Sequence, residues 1–86
     1  MTHKILVVED NPVQMKLTHR MLERIDNIEI FQAGSGEEAR KCLAGHAIDI
    51  VLCDNGLPDE SGLDLTRFMV KRYRDIIVIM LTADED

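Results

Sequence analysis

Short apolar runs alternate with longer amphipathic segments along the 86 residues of this chain. Four of the runs have the length and composition of β-strands, and their apolar character is typical of strands buried inside a sheet. The second run is the weakest of them, because Glu29 interrupts it. We therefore predict strands at residues 5–8, 28–31, 48–53 and 76–81.

Each segment between these strands begins with a helix-capping sequence. Asn11-Pro12 places a capping side chain before a proline at the first helical position. Ser35 to Glu38 and Ser61 to Asp64 follow the pattern in which a hydroxyl residue precedes an acid by three positions. We predict helices over about residues 12–24, 36–44 and 62–73, with Gly45 closing the second helix as its C′ residue.

Apolar positions inside these segments recur at helical spacing. The first helix has an apolar residue at every fourth position, which supports the helix assignment. The second helix has three residues that we expect to form its buried side. These residues are Val13, Leu17, Met21 and Ile25 in the first helix, and Ala39, Cys42 and Leu43 in the second.

The predicted element order, βαβαβαβ, defines the fold class. Strands joined by helical crossovers run parallel, and helices cover both faces of their sheet. An open parallel sheet binds its ligands beyond the carboxyl ends of its strands. Candidate chemistry is therefore expected at Glu9 and Asp10, at Asp54 and at Thr82, each of which directly follows a predicted strand.

Glu9, Asp10 and Asp54 converge at one edge of the sheet if the first and third strands are neighbours. Two carboxylates about 4 Å apart repel by roughly 4 kcal/mol at an effective dielectric constant near 20. Three of them require a raised pKa or a bound cation. Oxygen ligands of this kind suit Mg²⁺. The alternative is that these acids simply face solvent at the ends of their strands.

Asp54 opens a loop with the sequence Asp-Asn-Gly-Leu-Pro-Asp-Glu-Ser-Gly, residues 54–62. Pro58 prevents the strand from continuing, so Asp54 is held at the end of a rigid element. A carboxylate held in this way suits a nucleophile that attacks phosphorus. An ordinary strand-to-helix turn has similar residues. The hydroxyl of Thr82 could bind a phosphoryl oxygen on Asp54, or it could cap a following helix.

The composition limits which partners the chain is expected to bind and where in the cell it is expected to act. Acidic residues outnumber basic ones by 16 to 10, and the net charge of −6 argues against a nucleic-acid surface. No apolar stretch approaches the ~20 residues of a membrane span, and the first run is too short for a signal peptide. Cys42 and Cys53 lack metal-ligand spacing and are expected to be buried thiols. We expect a cytoplasmic protein.

Three motifs together resemble the signature of response-regulator receiver domains. They are Val7-Val8-Glu9-Asp10-Asn11, Asp54 followed by Pro58 and Gly62, and Leu81-Thr82-Ala83. The match runs along the whole chain, so residues 1–86 are expected to form one receiver domain. The resemblance implies a flavodoxin-like (CheY-like) doubly wound sheet, here with the strand order 2-1-3-4.

The resemblance also implies roles for individual residues. Asp54 would accept a phosphoryl group from a sensor histidine kinase or a phosphotransfer protein. Asp10, Asp54 and the Gly56 carbonyl would bind Mg²⁺ directly, and Glu9 would act largely through metal-bound water. Thr82 would move toward the phosphoryl group and shift the domain between two surface states. Such a protein assists its own phosphorylation and dephosphorylation and is not an enzyme in the usual sense.

The chain departs from the family pattern at its C-terminal side. Receiver domains continue with a fourth helix, a fifth strand that carries a lysine, and a fifth helix. None of the four lysines, Lys4, Lys16, Lys41 and Lys71, occupies that lysine's position. The lost charge-assisted hydrogen bond is worth roughly 1.5–3 kcal/mol, which would weaken switching by about 10- to 100-fold. A receiver-like interaction module that does not switch is the alternative.

The fourth strand would then lie at an open edge of the sheet. It contains neither a proline nor a charge, and such an edge invites pairing with another chain. We predict self-association, as a dimer or a larger assembly, through this strand or through exchange of neighbouring elements. The residues concerned are Ile76, Ile77, Val78, Ile79, Met80 and Leu81.

Two enzyme classes with the same topology fit the sequence poorly. Phosphatases of the haloacid dehalogenase type need a second aspartate two residues after the first, but Pro12 occupies that position. Flavodoxin-like binders need a phosphate loop rich in hydroxyls and glycine after the first strand. Here Glu9 and Asp10 would repel a phosphate.

Overall fold

Strands and helices alternate along residues 2–81, which the computed structural model describes. The strands are β1 (His3–Val8), β2 (Ile28–Ala33), β3 (Ile50–Asp54) and β4 (Ile77–Leu81), and the helices are α1 (Pro12–Leu22), α2 (Gly36–Gly45) and α3 (Gly62–Arg72). The strands form one parallel sheet in the order β2-β1-β3-β4. The α/β fold class predicted from the sequence and the strand order implied by the family resemblance are confirmed.

The strand order also determines which face of the sheet each helix covers. The chain moves from β1 to β2 in one direction across the sheet, and then from β2 through β3 to β4 in the other. Because crossovers between parallel strands are right-handed, α1 lies on the face opposite α2 and α3. The reversal occurs between β1 and β3, and it places their carboxyl ends side by side.

Several predicted boundaries were wrong by one or two residues, and Asp49 marks one of them. Its carboxylate accepts the Lys4 backbone N–H at 2.8 Å, and its own N–H bonds the Lys4 carbonyl at 2.9 Å. The Lys4 N–H is thus bound by the side chain of the residue before β3, which begins only at Ile50. β1 already begins at His3 because it pairs there with β2. Ile76 likewise lies before β4.

The three predicted helix starts are confirmed by their capping bonds. The Asn11 side chain accepts the Val13 N–H at 2.9 Å, and the hydroxyls of Ser35 and Ser61 each accept the N–H three residues later. The predicted role of Gly45 was wrong, because it is the last helical residue of α2 and does not have a positive φ. α2 ends when the chain becomes extended at His46.

The main hydrophobic core lies between the sheet and helices α2 and α3. Its buried side chains come from the sheet, from α2 and from α3. They include Leu6, Val8, Val51, Cys53, Leu65 and Met69. Burial raises the pKa of the Cys53 thiol to about 11, so the thiol stays protonated. Cys42, expected to be buried, is only half-buried.

α1 does not bury the apolar residues that helped to predict it. The side chains of its four-residue repeat, Val13, Leu17 and Met21, are 67%, 50% and 71% exposed, and Ile25 beyond the helix is 53% exposed. The repeat therefore identified a helix correctly but not a buried face. None of the helices in residues 2–81 is long and apolar enough to cross a membrane.

Candidate functional site

The carboxyl ends of β1 and β3 bring three acids together. Val8 at the end of β1 is in register with Cys53, so Glu9 and Asp10 follow β1 where Asp54 ends β3. Glu9, Asp10 and Asp54, here called the carboxylate cluster, each offer an oxygen, and these oxygens lie within 4.8 Å of one another. The convergence expected from neighbouring first and third strands is thus observed.

The negative charges of the carboxylate cluster repel one another. Partial burial raises the pKa of Glu9, and the charges of Asp54 and Asp10 raise it further, while the Asn11 N–H, 3.1 Å from the Glu9 carboxylate, lowers it. None of the salt bridges within residues 2–81 includes a member of the cluster. The cluster therefore concentrates negative charge without a basic side chain to neutralise it.

The carboxylate cluster opens into a cleft of about 380 Å³ between the sheet edge and α1. Besides the acids, its lining consists of Asn11, Gln14, Thr18 and Leu81. Gln14 and Thr18 were not among the site residues predicted from the sequence. Residues 11, 14 and 18 are separated by three and four positions, which places them on one side of a helix. That polar spacing, beginning right after Asp10, was the signal that could have identified them.

The loop after Asp54 folds tightly back on the end of β3. The Gly62 N–H bonds the Asn55 carbonyl at 2.8 Å, and Gly56 forms an isolated bridge with Ser61. A Cβ atom added to Gly56 would lie 4.0 Å from Oδ2 of Asp54, so the Gly56 backbone passes beside that carboxylate. The predicted metal ligands Glu9, Asp10, Asp54 and Gly56 are thus close together.

Leu81, the partner of Asp54 in the register of β3 and β4, is the last residue that the structure describes. Thr82, the predicted switch hydroxyl, lies outside the described residues. Its role stays a prediction from the sequence.

The donor set of the site fits Mg²⁺. All candidate ligands are oxygens, and carboxylate oxygens are the ligands that hard divalent cations prefer. Their separation of less than 4.8 Å allows them to share one ion. Asp54 is half-buried at the end of β3 and lines the cleft, so its carboxylate is both held by the sheet and accessible to a reactant.

Comparison with known proteins agrees with these features. The family model for the response regulator receiver domain matches residues 5–86. Response regulator GacA of Pseudomonas syringae pv. syringae is 38% identical over 84 residues, which cover 96% of this chain and 39% of GacA. The polar-differentiation response regulator DivK of Brucella ovis is 36% identical over 85 residues, covering 96% of this chain and 68% of DivK.

Solved structures of receiver proteins have the same fold. MaeR response regulator bound to beryllium trifluoride superposes with a TM-score of 0.90 at 32% identity, covering 100% of this chain and 70% of MaeR. TrrA of Thermotoga maritima, in complex with Mg²⁺ and BeF, gives a TM-score of 0.89 at 35% identity over 95% of this chain and 70% of TrrA.

The chain spans about two fifths of the GacA sequence, so the comparison concerns the receiver part of such proteins. Members of this family are signalling phosphoacceptors of two-component systems rather than enzymes acting on a separate substrate. The sheet order, the carboxylate cluster and the match over residues 5–86 lead to one conclusion: this chain belongs to the response regulator receiver domain family.

Proposed function

We propose that this chain accepts a phosphoryl group on Asp54 from a phosphohistidine of a sensor histidine kinase or a phosphotransfer protein. The observation that carries the proposal is the carboxylate cluster, whose oxygens lie within 4.8 Å of one another at the carboxyl edge of the sheet. In the reaction, an Asp54 carboxylate oxygen attacks phosphorus and forms the P–O bond. The P–N bond breaks, and its electron pair returns to the imidazole.

We propose that the side chains of Asp10 and Asp54 and the backbone carbonyl of Gly56 hold Mg²⁺, while Glu9 acts mainly through water. When bound, the ion neutralises the charge that collects around the phosphoryl oxygens. The chain itself holds the reacting groups in position. β3 fixes the backbone of Asp54, and the Asn11 N–H orients the Glu9 carboxylate at 3.1 Å.

In this proposal the Thr82 hydroxyl binds a phosphoryl oxygen after transfer and so couples phosphorylation to a change of surface. Its support is the sequence position of Thr82, directly after Leu81, which pairs with Asp54 in the sheet. We place the domain in the cytoplasm, where two-component phosphotransfer takes place and where Cys42 and Cys53 would remain free thiols, as they are here.

A small phosphoryl donor tests the proposal without knowledge of the kinase. We expect acetyl phosphate with Mg²⁺ to add one phosphoryl group to the protein, and EDTA to prevent the addition, because the carboxylate cluster repels an anionic donor unless a cation is present. Intact-mass spectrometry measures the product, and hydroxylamine should remove the group, as expected for an acyl phosphate. Failure to label in the presence of Mg²⁺, or equal labelling with EDTA, would contradict the proposal.

We further propose that the chain self-associates along β4. Within residues 2–81, β4 pairs only with β3, and its side chains Ile77, Ile79 and Leu81 are 57%, 45% and 37% exposed. An apolar edge strand without charge favours pairing with a second copy. These features support an assembly of two or more chains.

Sedimentation velocity tests the self-association. We expect the wild type to form dimers or larger species and the variant Ile79→Lys to shift toward monomer, because a charge on an edge strand opposes pairing. Val70→Lys is the control, since Val70 is 53% exposed but lies on α3. A wild-type protein that stays monomeric at high concentration would rule out the assembly.

A further inference from the structure

The loop between β3 and α3, residues 55–61, contacts the start of α2 through Asp59. Its carboxylate accepts the Gly36 N–H at 2.8 Å and the Glu37 N–H at 3.0 Å. These N–H groups belong to the first turn of α2 and have no partner within the helix. The Gly36 N–H holds the pKa of Asp59 below its usual value. Asp59 therefore caps a helix that begins 23 residues before it in the sequence.

Glu60, the next residue, binds one turn further along α2. Its two carboxylate oxygens accept hydrogen bonds from Arg40, one from Nη2 at 2.7 Å and one from Nε at 3.2 Å. The Arg40 guanidinium in turn lies 4.1 Å from the ring centre of Phe68 on α3. The Glu60 side chain is only 19% exposed, so this pair is shielded more than an ordinary surface salt bridge.

Asp59 and Glu60, here called the acidic pair, thus hold the middle of the loop to α2 by two hydrogen bonds each. The base of the loop is held separately, by the Gly62 N–H on the Asn55 carbonyl and by the bridge between Gly56 and Ser61. Only Leu57 and Pro58 separate Gly56 from the acidic pair. Leu57 packs against the core, and Pro58 has a fixed φ. Two residues of restricted freedom therefore connect the acidic pair to Gly56.

We propose that Asp59 and Glu60 are positioning residues for the metal site, which use the first turns of α2 to hold the Gly56 carbonyl where Mg²⁺ binds. This inference rests on the proposed function, in which Gly56 supplies a metal ligand. Groups that orient a metal ligand without touching the ion commonly change metal affinity by 10- to 100-fold. A purely structural role for the acidic pair would instead lower stability and leave Mg²⁺ affinity unchanged.

Ser35 provides the matched control. Its hydroxyl accepts the Glu38 N–H at 3.1 Å, so it caps the same end of α2 by a bond that does not involve the loop. Ser35→Ala and Asp59→Ala both remove a cap from this helix, but only Asp59→Ala releases the loop. Comparison of the two variants separates helix stability from positioning of the loop.

Isothermal titration with Mg²⁺ and urea unfolding, each on the full chain, test the proposal. We expect the Mg²⁺ dissociation constant to rise about 10-fold in Asp59→Ala and in Glu60→Ala, and to remain at the wild-type value in Ser35→Ala, although Ser35→Ala also unfolds at lower urea. Asp59→Asn keeps one acceptor oxygen, so its constant should lie between those of wild type and Asp59→Ala.

The outcomes also distinguish this inference from the proposed function. If the wild type binds Mg²⁺ and both Asp59→Ala and Glu60→Ala bind it equally well, the acidic pair does not position the site, while the proposed function stands. If Ser35→Ala weakens binding as much as Asp59→Ala, the effect comes from helix stability and the inference is wrong. A wild type that binds no Mg²⁺ would overturn both.

Discussion

The Asp54→Asn variant should incorporate no phosphoryl group from acetyl phosphate, a decrease of at least ~10³-fold in rate, as expected when a covalent nucleophile is removed. Asparagine has nearly the same shape as aspartate but lacks the anionic oxygen that attacks phosphorus. We do not expect the other two acids of the carboxylate cluster to substitute, because in the proposed site Asp10 holds Mg²⁺ and Glu9 acts through water.

We do not expect loss of labelling in this variant to result from unfolding. The charge of Asp54 contributes to the raised pKa of Glu9, so its removal relieves repulsion and should not lower the free energy of unfolding. Asp26→Asn, in the exposed turn between α1 and β2, is the charge-matched control and should label like wild type. Intact-mass spectrometry and urea unfolding provide the two measurements. Equal labelling of Asp54→Asn and wild type would show that the phosphate resides elsewhere.

The second large effect concerns Gly62, the first residue of α3. A Cβ atom at this position would lie 2.3 Å from the Asp54 carbonyl oxygen and 2.8 Å from the Cα of Asn55. Both obstacles are backbone atoms, so no side chain can rotate away to make room. We expect Gly62→Ala to lower the free energy of unfolding by about 3 kcal/mol, at the upper end of the range for overpacking.

Gly45→Ala is the control for Gly62→Ala. Gly45 is also helical, but a Cβ atom there would have no neighbour within 4 Å. Since alanine is favoured over glycine in helices, Gly45→Ala should leave stability unchanged or raise it by up to about 1 kcal/mol. Urea unfolding followed by circular dichroism compares the two. A Gly62→Ala protein as stable as Gly45→Ala would mean that the loop relaxes around the added methyl group.

Gly62→Ala should also impair phosphorylation, because the clash displaces the backbone of Asp54, the proposed phosphate acceptor. The same position thus links the stability of the domain to its proposed chemistry. The close approach of the two backbones is the physical reason to expect a glycine eight residues after Asp54. The start of α3 passes so near the end of β3 that a side chain at this position has no room.

The sequence sufficed to predict the sheet and the acids at its edge. Apolar runs such as 5–8 and 76–81 mark strands through local composition, and Asn11, Ser35 and Ser61 mark helix starts through local hydrogen bonds. The convergence of the carboxylate cluster could be predicted only on the condition that the first and third strands are neighbours, since neighbouring parallel strands end at the same edge. That strand order was implied by the family resemblance and not by the pattern of apolar and polar residues.

Features that depend on distant contacts could not be predicted in this way. The caps that Asp59 provides to Gly36 join residues 23 positions apart, and no local pattern indicates such a pair. The exposure of Leu17 and Met21 could not be predicted for a related reason. Helical spacing identifies an apolar side, but whether another element covers that side depends on the rest of the fold.

The central position of β1 has a consequence for synthesis on the ribosome. Ile5 pairs with Ile50, so β1 obtains its second neighbour only after a further 45 residues (50 − 5) have been made. At the usual ~5–20 residues per second of translation, this delay lasts roughly 2–9 s. During that interval a nascent chain presents one edge of the strand that is most buried in the folded domain to other chains, and folding can be completed only once β3 has emerged.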